Sequence, residues 1–139
     1  MRKNIITIVP NEEKYWNFIL EVRNHPETSS AWIQQNPIDL ETHRTFMKKW
    51  GNKYFVALID GVPAAFAGSV NGDIRIATHP NYLRCGAARA LLVRLGQEFP
   101  NAVAKVKVEN NDSAKLFESC GFQCKYLIYE RGTPPEDFR

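Results

Sequence analysis

Two short dipeptides constrain the fold of this chain more than any other feature of its sequence. Asp60-Gly61 and Asn71-Gly72 each separate two runs of β-forming residues. Asp-Gly and Asn-Gly favour tight two-residue hairpin turns, because both central residues of such a turn need a positive φ. Two of these turns in succession predict a three-stranded antiparallel meander, with strands at Tyr54–Ile59, Ala64–Val70 and Asp73–Thr78.

Helices and further strands surround this meander. Apolar residues repeat with the helical period at Glu12–Asn24, from Asp39 to Trp50, at Gly86–Phe99 and at Asn111–Cys120. Runs with strand composition lie at Asn4–Val9, Ala102–Glu109 and Gln123–Arg131. This order predicts an α/β (α+β) fold with a mixed, mostly antiparallel central sheet flanked by helices. No repeat or linker divides the sequence, so we interpret residues 1–139 as one domain with a loose tail after Gly132.

Several residues are of the types that favour the ends of helices. Asn11 and Asp39 stand where N-caps are expected, because their side chains can accept hydrogen bonds from free N–H groups of a first helical turn. Gly51 is predicted to end a helix in a left-handed conformation. Gly121 is predicted to do the same, with Phe122 folding back on Phe117.

Composition argues against several classes of protein. The net charge of +3 is spread along the chain without a basic stripe, so we expect no nucleic-acid partner. No apolar run is long enough for a membrane span or a signal peptide, which favours a cytoplasmic protein. The odd number of cysteines, at Cys85, Cys120 and Cys124, fits neither a disulfide framework nor a paired zinc motif, and we expect no metal.

A candidate anion site follows the third strand of the meander. After Thr78 the chain turns through a loop and enters a helix at Gly86-Ala87-Ala88. The first N–H groups of a helix lack intrahelical partners and lie at the positive end of its dipole, and small side chains leave them open to a ligand. Arg84 and Arg89 flank this turn and could contact phosphate groups. Close packing of the small residues against the sheet is the alternative interpretation.

This loop resembles the acetyl-CoA loop of the GNAT superfamily of N-acetyltransferases, Gln/Arg-x-x-Gly-x-Gly/Ala, which begins shortly after a proline that ends a strand. Pro80 and Gly86 have the spacing of the family, and Ala88 occupies the Gly/Ala position. Leu83 departs from the pattern, because it stands where the family has Gln or Arg. The departure removes one polar contact but leaves the backbone N–H groups.

A second motif of the same family lies further along the chain. The pattern Asn-x-x-Ala-x-x-x-Tyr-x-x-x-Gly-Phe is matched in spacing by Asn110, Ser113, Phe117, Gly121 and Phe122. Ser113 replaces the alanine and Phe117 replaces the tyrosine. The two motifs, in this order on the expected elements, cover residues 73–122.

The resemblance implies an acetyl-CoA-dependent N-acetyltransferase whose co-substrate lies between strands that splay apart. It implies that the pantetheine arm pairs with backbone near the end of the third meander strand and that the pyrophosphate lies on the loop. The residues implied to contact acetyl-CoA are Ile76, Ala77, Thr78, Arg84, Cys85, Gly86, Ala87, Ala88, Arg89, Asn110 and Phe117.

The catalytic groups are less well defined by the sequence. Acetyl transfer needs a base for the amine, a donor for the oxyanion and a thiolate that can leave. His79, Glu109 and His43 are the candidate bases, and bound water is the alternative. The tyrosine that usually serves the family as acid is absent at Phe117. A thiol with a pKa of about 8.5 still leaves as a thiolate without an acid.

The acceptor is expected to bind at the N-terminal helical region. It contains the stretches Arg23-Asn24-His25-Pro26, Trp32-Ile33 and Ile38-x-x-Glu41-x-His43-x-x-Phe46. These stretches resemble a branch of the family that includes acetyltransferases of ribosomal-protein N-termini and of amino-sugar nucleotides. Arg23, Trp32 and His43 are the candidate acceptor residues, and core packing is the alternative. We expect a small amine, with an amino sugar or its nucleotide favoured over a protein N-terminus, and a monomer or homodimer. A non-catalytic CoA-binding module is the remaining alternative.

Overall fold

The centre of the structure is a four-stranded antiparallel sheet. The computed structural model describes residues 4–29, 31–34 and 36–132. The strands follow chain order across the sheet as β1 (Ile6–Pro10), β2 (Tyr54–Ile59), β3 (Val62–Val70) and β4 (Asp73–Thr78). Both hairpin turns have positive φ at their central residues, at 50° and 84° for Asp60-Gly61 and 52° and 79° for Asn71-Gly72. The predicted meander is confirmed.

Five α-helices flank the sheet in the described ranges. They are α1 (Trp16–Asn24), α2 (Pro26–Ser29), α3 (Leu40–Trp50), α4 (Ala87–Glu98) and α5 (Asn111–Ser119). Short 3₁₀ turns lie at Glu13–Tyr15, Gly51–Lys53 and Pro80–Tyr82. None of the helices in these ranges is long and apolar enough to cross a membrane.

The alternation of side chains along the strands divides the core into two layers. On one face, Ala57 and Ala65 pack with Leu91 and Leu95 of α4. On the other face, Val56 and Phe66 pack with residues of α1 and α3, namely Ile19, Val22 and Met47. Because side chains alternate between the two faces of a strand, small residues at alternate positions all lie on the first face. They let α4 lie close to the sheet.

A single parallel bridge extends the sheet beyond β4. It joins Asp73 to Val103, and every strand-to-strand ladder in the described residues is antiparallel. The predicted mixed, mostly antiparallel sheet flanked by helices is therefore confirmed.

The ends of α3 and α5 follow their sequence signals. The Asp39 carboxylate accepts a hydrogen bond from the Thr42 N–H at 2.7 Å. Gly121 has a φ of 92°, and the Phe122 N–H donates to the Phe117 carbonyl at 3.0 Å. The rings of Phe117 and Phe122 meet edge to face with centroids 5.2 Å apart. This is the Schellman closure that the sequence predicts.

Two predictions about helix ends are wrong. Asn11 does not cap α1, since its side-chain amide donates to the Gly51 carbonyl at 3.2 Å. The first helical segment instead begins as the 3₁₀ turn, whose N-cap Glu12 makes no side-chain capping bond. Gly51 has a φ of −57° rather than a positive value, because the chain continues from α3 into another 3₁₀ turn.

The two strands predicted after α4 are not formed. Residues 102–109 make only the bridge at Val103, and Val108 is 90% exposed. Residues 123–131 form no strand, and Tyr126 and Tyr129 are exposed. A strand needs a neighbour to satisfy its backbone groups and bury one face, and the chain after Val103 forms no further ladder with β4. The tail predicted to be loose begins at Gly132, and all of it after that residue lies outside the described residues.

Candidate active site

The outer edge of β4 is open along most of its length. The Ile74 N–H donates to the Val103 carbonyl, and the Val103 N–H donates to the Gly72 carbonyl, both at 2.8 Å. Because backbone direction alternates along a strand, the N–H groups of Ile76 and Thr78 point to the same side as that of Ile74. No backbone acceptor in the described parts of the chain is bonded to these two groups. They form a short row of donors that an extended ligand could use.

The loop after β4 brings a free helix N-terminus to the same end of the sheet. Gly86 adopts a φ of 88°, which a glycine tolerates best, and α4 begins at the next residue. The Ala90 N–H donates to the Gly86 carbonyl at 3.1 Å. The preceding N–H groups of Ala87, Ala88 and Arg89 therefore have no intrahelical partner. Their position fits the pyrophosphate of CoA, because it combines free donors with the positive end of the dipole.

The other loop residues surround this N-terminus in different ways. The Arg89 guanidinium donates to the Ser119 hydroxyl at 2.9 Å and so connects α4 with the end of α5. Arg84 is exposed and adopts a positive φ of 61°. The Cys85 thiol is half-buried and lies 3.6 Å from the Leu83 carbonyl. Arg84 is thus the more available of the two arginines for a phosphate.

The second motif builds the start and the end of α5. The Asn110 side chain accepts a hydrogen bond from the Ser113 N–H at 3.1 Å and caps the helix. Phe117 is 7% exposed and packs on Phe122, as described above. Glu109 lies exposed in the turn that leads into α5. The structure therefore gives Asn110 and Phe117 local structural contacts, and the described contacts do not bring Glu109 to His79.

His79 directly follows β4 and faces α1. Its Nδ1 accepts a hydrogen bond from the Asn81 N–H at 3.1 Å, so the neutral ring carries its proton on Nε2. Nε2 lies 3.6 Å from the Glu21 carboxylate, and the His25 ring meets the His79 ring edge to face at 5.6 Å. Nδ1 can take a substrate proton only if it gives up the bond to Asn81, and the Glu21 carboxylate offers further lone pairs beside the ring.

Arg23 and Trp32 lie together on the face of the sheet that α1 covers. The Arg23 guanidinium lies 5.1 Å from the centre of the Trp32 ring and donates to the Gln34 carbonyl. Trp32 stacks in turn on Phe66 at 6.3 Å. Asn24 holds the same segment through two hydrogen bonds with the Ile38 backbone, at 2.8 and 3.0 Å. Arg23 and Trp32, two of the predicted acceptor residues, therefore lie next to each other.

His43 does not lie with these two residues. It is 3% exposed, and its Nε2 donates to the Trp16 carbonyl at 2.8 Å, which joins α3 to α1. Burial lowers the pKa of its ring below the ordinary value. A buried side chain whose donor is used in this way is a structural contact, so we leave His43 out of the acceptor site and out of the candidate bases.

Sequence reasoning missed Arg75. Gly68 is the register partner of both Tyr54 and Arg75, so these three residues line up across the sheet on the face that packs against α1 and α3. The sequence does show a charged residue, Arg75, between two apolar ones, Ile74 and Ile76. The side chains of these two isoleucines pack on the α4 face. Strand alternation sends an arginine at that position to the opposite face.

Two further features limit where chemistry can occur. An open pocket of about 440 Å³ lies between the β3–β4 turn and the end of α4, where Trp50, Phe99 and Asn101 contribute to its walls, and it does not reach the open edge at Ile76. No group of three His, Cys, Asp or Glu side chains among the described residues could hold a metal ion. The β4 edge and the adjoining loop remain the candidate site.

Comparison with known proteins identifies the family. The sequence model of the acetyltransferase (GNAT) family matches residues 16–122. No protein of curated function matches the chain significantly in sequence.

Solved structures share the fold at low sequence identity. A ribosomal-protein-alanine N-acetyltransferase from Brucella melitensis has 20% identity and a TM-score of 0.73, with 86% of each chain covered. A spermidine N-acetyltransferase from Vibrio cholerae, in complex with CoA and spermine, has 21% identity and a TM-score of 0.69, covering 90% of this chain and 85% of its own. An aminoglycoside N-acetyltransferase in complex with CoA has 19% identity and a TM-score of 0.69, covering 94% and 97%.

The family match spans far more than half of the chain and includes both motifs, the meander and the open edge of β4. The protein therefore belongs to the GNAT acetyltransferase family and is an acetyl-CoA-dependent N-acetyltransferase.

Proposed function

We propose that this enzyme acetylates the primary amine of a small acceptor, an amino sugar or its nucleotide conjugate. The observation that carries the proposal is the stack of Arg23 on Trp32, on the face of the sheet beside the open β4 edge. An aromatic face and a guanidinium are natural partners of sugar rings, bases and phosphates. The similar structures act, by their names, on an aminoglycoside, spermidine and ribosomal-protein alanine, and the first of these supports an amino sugar.

For the co-substrate, we propose that the N–H groups of Ile76 and Thr78 hold the pantetheine arm. The first turn of α4, at Ala87 to Arg89, with Gly86, Arg84 and Cys85 beside it, holds the pyrophosphate. Ala77, Asn110 and Phe117 line the remainder. Acetyl-CoA supplies a thioester carbonyl that the neutral amine attacks, and the CoA thiolate leaves. Residues 1–139 act in this proposal as one domain, as a monomer or homodimer, without nucleic acid.

For the amine proton, His79 and Glu109 remain our candidates and Glu21 joins them. The Glu21 carboxylate accepts the proton, with Nε2 of His79 3.6 Å away. Glu21→Gln should lower kcat about 100-fold, whereas Glu12→Gln, a surface control, should not. Equal rates in the two variants would remove Glu21 from the reaction and return the role to Glu109 or water.

A panel of acceptors tests the proposal. Release of free CoA thiol is followed with amino sugars, their nucleotide conjugates, polyamines, amino acids and short peptides. We expect an amino sugar or its conjugate to have the highest kcat/KM, and preferred turnover of peptides would overturn this choice.

A pair of variants locates the acceptor. Trp32→Ala should raise the KM of the preferred acceptor at least tenfold and leave acetyl-CoA affinity within about twofold. Trp16→Ala is the matched control, because Trp16 also carries a stacked arginine, Arg44 at 5.4 Å. Equal loss of acceptor and acetyl-CoA affinity in Trp32→Ala would assign Trp32 to the core alone.

A further inference from the structure

Arg23 of α1 and Arg75 of β4 lie on the same face of the sheet, the one that α1 covers, which we call the acceptor face. Arg75 is the register partner of Gly68, which pairs on its other side with the buried Tyr54. Burial raises the pKa of Tyr54, and the positive charges of Arg75 and Arg23 oppose this rise. Burial and the charge of Arg75 both lower the pKa of Arg23. In the described part of the chain, neither guanidinium forms an ion pair with an acidic side chain. We call Arg23 and Arg75 the arginine pair.

The same face offers a comparison. Arg44 stacks on Trp16 much as Arg23 stacks on Trp32, at 5.4 and 5.1 Å. The Arg44 guanidinium also lies 2.8 Å from the Glu13 carboxylate, so its charge is compensated. The stack at Arg23 has a second cation nearby instead of an anion. Like charges in a partly buried site are unfavourable until an anion lies between them.

Two unused donors lie at the Arg23 side of the arginine pair. Arg23 Nη1 and Trp32 Nε1 are both buried and have no acceptor among the described residues. Buried donors are nearly always satisfied in folded proteins, and leaving one unpaired costs about 1–3 kcal/mol. A guanidinium N–H, an indole N–H and a second guanidinium in one place match the several acceptor atoms of an oxyanion.

The position of Arg75 connects this feature to the reaction. Arg75 lies between Ile74 and Ile76 on the strand whose outer edge is open. Its side chain lies on the same face as Ala77, which packs with the α1 and α3 layer. A group bound by the arginine pair therefore lies on the α1 side of β4, opposite the α4 layer.

We propose that the acceptor carries an oxyanion, either a carboxylate or a phosphate, and that Arg23, Arg75 and the indole N–H of Trp32 bind it while the amine points to the β4 edge. This inference rests on the proposed function and narrows its acceptor class. It assigns Arg75 as a specificity-determining residue.

The first experiment measures anion binding without turnover. Saturating CoA fills the loop at Gly86, and the melting temperature is then recorded with increasing inorganic phosphate. We expect phosphate to raise the melting temperature of the wild type and of Arg44→Gln, and to have no such effect on Arg75→Gln. Arg75→Lys should keep part of the shift, because it retains the charge. A shift that persists unchanged in Arg75→Gln, or no shift in the wild type, overturns the inference.

The second experiment compares matched acceptors. Glucosamine is paired with glucosamine 6-phosphate, and an amino-acid amide with the free amino acid, so that the two sources of the oxyanion are separated. We expect kcat/KM to favour the anionic member of one pair about ten- to hundredfold. In Arg75→Gln this preference should fall below about threefold, and in Arg44→Gln it should remain.

The outcomes separate this inference from the proposed function. If small amines are acetylated equally well with and without an oxyanion, the inference is overturned and the proposed function still holds. A phosphate shift that depends on Arg75, in a protein that acetylates no small amine, supports the anion site and overturns the small-molecule function. Preference for the member without the oxyanion in both pairs contradicts the inference directly.

Discussion

Gly68 shows how one missing side chain shapes the acceptor face. A Cβ atom at this position would lie 2.4 Å from Cδ1 of the Tyr54 ring. The glycine therefore leaves room for the Tyr54 ring over β3, on the same face of the sheet as Arg75.

Gly68→Ala should destabilise the protein by about 1–3 kcal/mol, because the ring must move in a packed layer. Gly96→Ala is the matched control, since Gly96 lies in α4 with no atom near the added methyl group. That control should gain about 0.5–1 kcal/mol from helix propensity. Urea unfolding measures both values. Two alanine variants of equal stability would show that Tyr54 does not cover Gly68 in solution.

Ala88 offers a direct test of the loop. Ala88→Glu places a carboxylate in the first turn of α4, where an acidic side chain favours the helix but repels a pyrophosphate. Position 88 is better suited than Gly86, whose φ of 88° would strain any other residue. We expect CoA affinity to fall at least tenfold by calorimetry. Val93→Glu, at an exposed site of the same helix, should bind CoA as the wild type does. Unchanged affinity in Ala88→Glu would move the pyrophosphate elsewhere.

At the scale of elements, β4 has two kinds of amide. Those of Arg75 and Ala77 face β3, while those of Ile76 and Thr78 face the open edge. Binding of CoA should therefore slow hydrogen exchange at Ile76 and Thr78 at least tenfold more than at Arg75 and Ala77. Exchange measured residue by residue by NMR, with and without CoA, gives the comparison. Uniform slowing along β4 would indicate general stabilisation rather than pairing at the edge.

Elements with local causes could be predicted from the sequence. The hairpins at Asp60-Gly61 and Asn71-Gly72 and the closure at Gly121 depend on residues within a few positions of one another. The caps at Asp39 and Asn110 have the same local origin. Residue type and spacing decide such features, so the fold class and the cofactor loop could be inferred early.

Features with distant causes could not be predicted in this way. Asn11 is bound by the Gly51 carbonyl, forty residues away in sequence, and so does not cap α1. The run at 102–109 has strand composition, but strand formation depends on a neighbouring edge that composition does not describe. The charge of Arg75 acts on Arg23 only because β4 and α1 pack together. The structural role of His43 depends on a hydrogen bond to Trp16 in another helix, and the residues around His43 in sequence do not reveal that bond.

At the scale of the whole molecule, lowering the pH should reduce stability first through protonation of His43 and only at lower pH through protonation of the carboxylates. Burial keeps the pKa of the folded ring below its ordinary value of 6.5. The unfolded chain therefore binds more protons between the lowered pKa and 6.5. The contribution of His43 to stability is fully present above pH 6.5. It decreases as the pH falls from 6.5 towards the lowered pKa, by up to about 1.4 kcal/mol per pH unit.

The variant His43→Gln separates this effect from general acid unfolding. A glutamine amide can still donate to the Trp16 carbonyl but does not titrate. Urea unfolding between pH 5 and 7.5 should show a flatter dependence in the variant than in the wild type. Asp39, whose pKa is lowered by its bond to Thr42, acts in the same sense, but only below about its ordinary 3.8, outside this range. Identical pH profiles would show that His43 titrates freely when folded.

The open edge of β4 also bears on how the protein behaves at high concentration. Unpaired N–H and C=O groups on an edge strand can pair with any extended polypeptide, including the same edge of a second molecule. The free N–H donors of Ile76 and Thr78 are few, but they lie on a strand that is rich in β-branched residues. A bound pantetheine arm would occupy these groups as a non-peptide strand. We therefore expect CoA to protect the protein against self-association, so that light scattering of a concentrated solution falls when CoA is added.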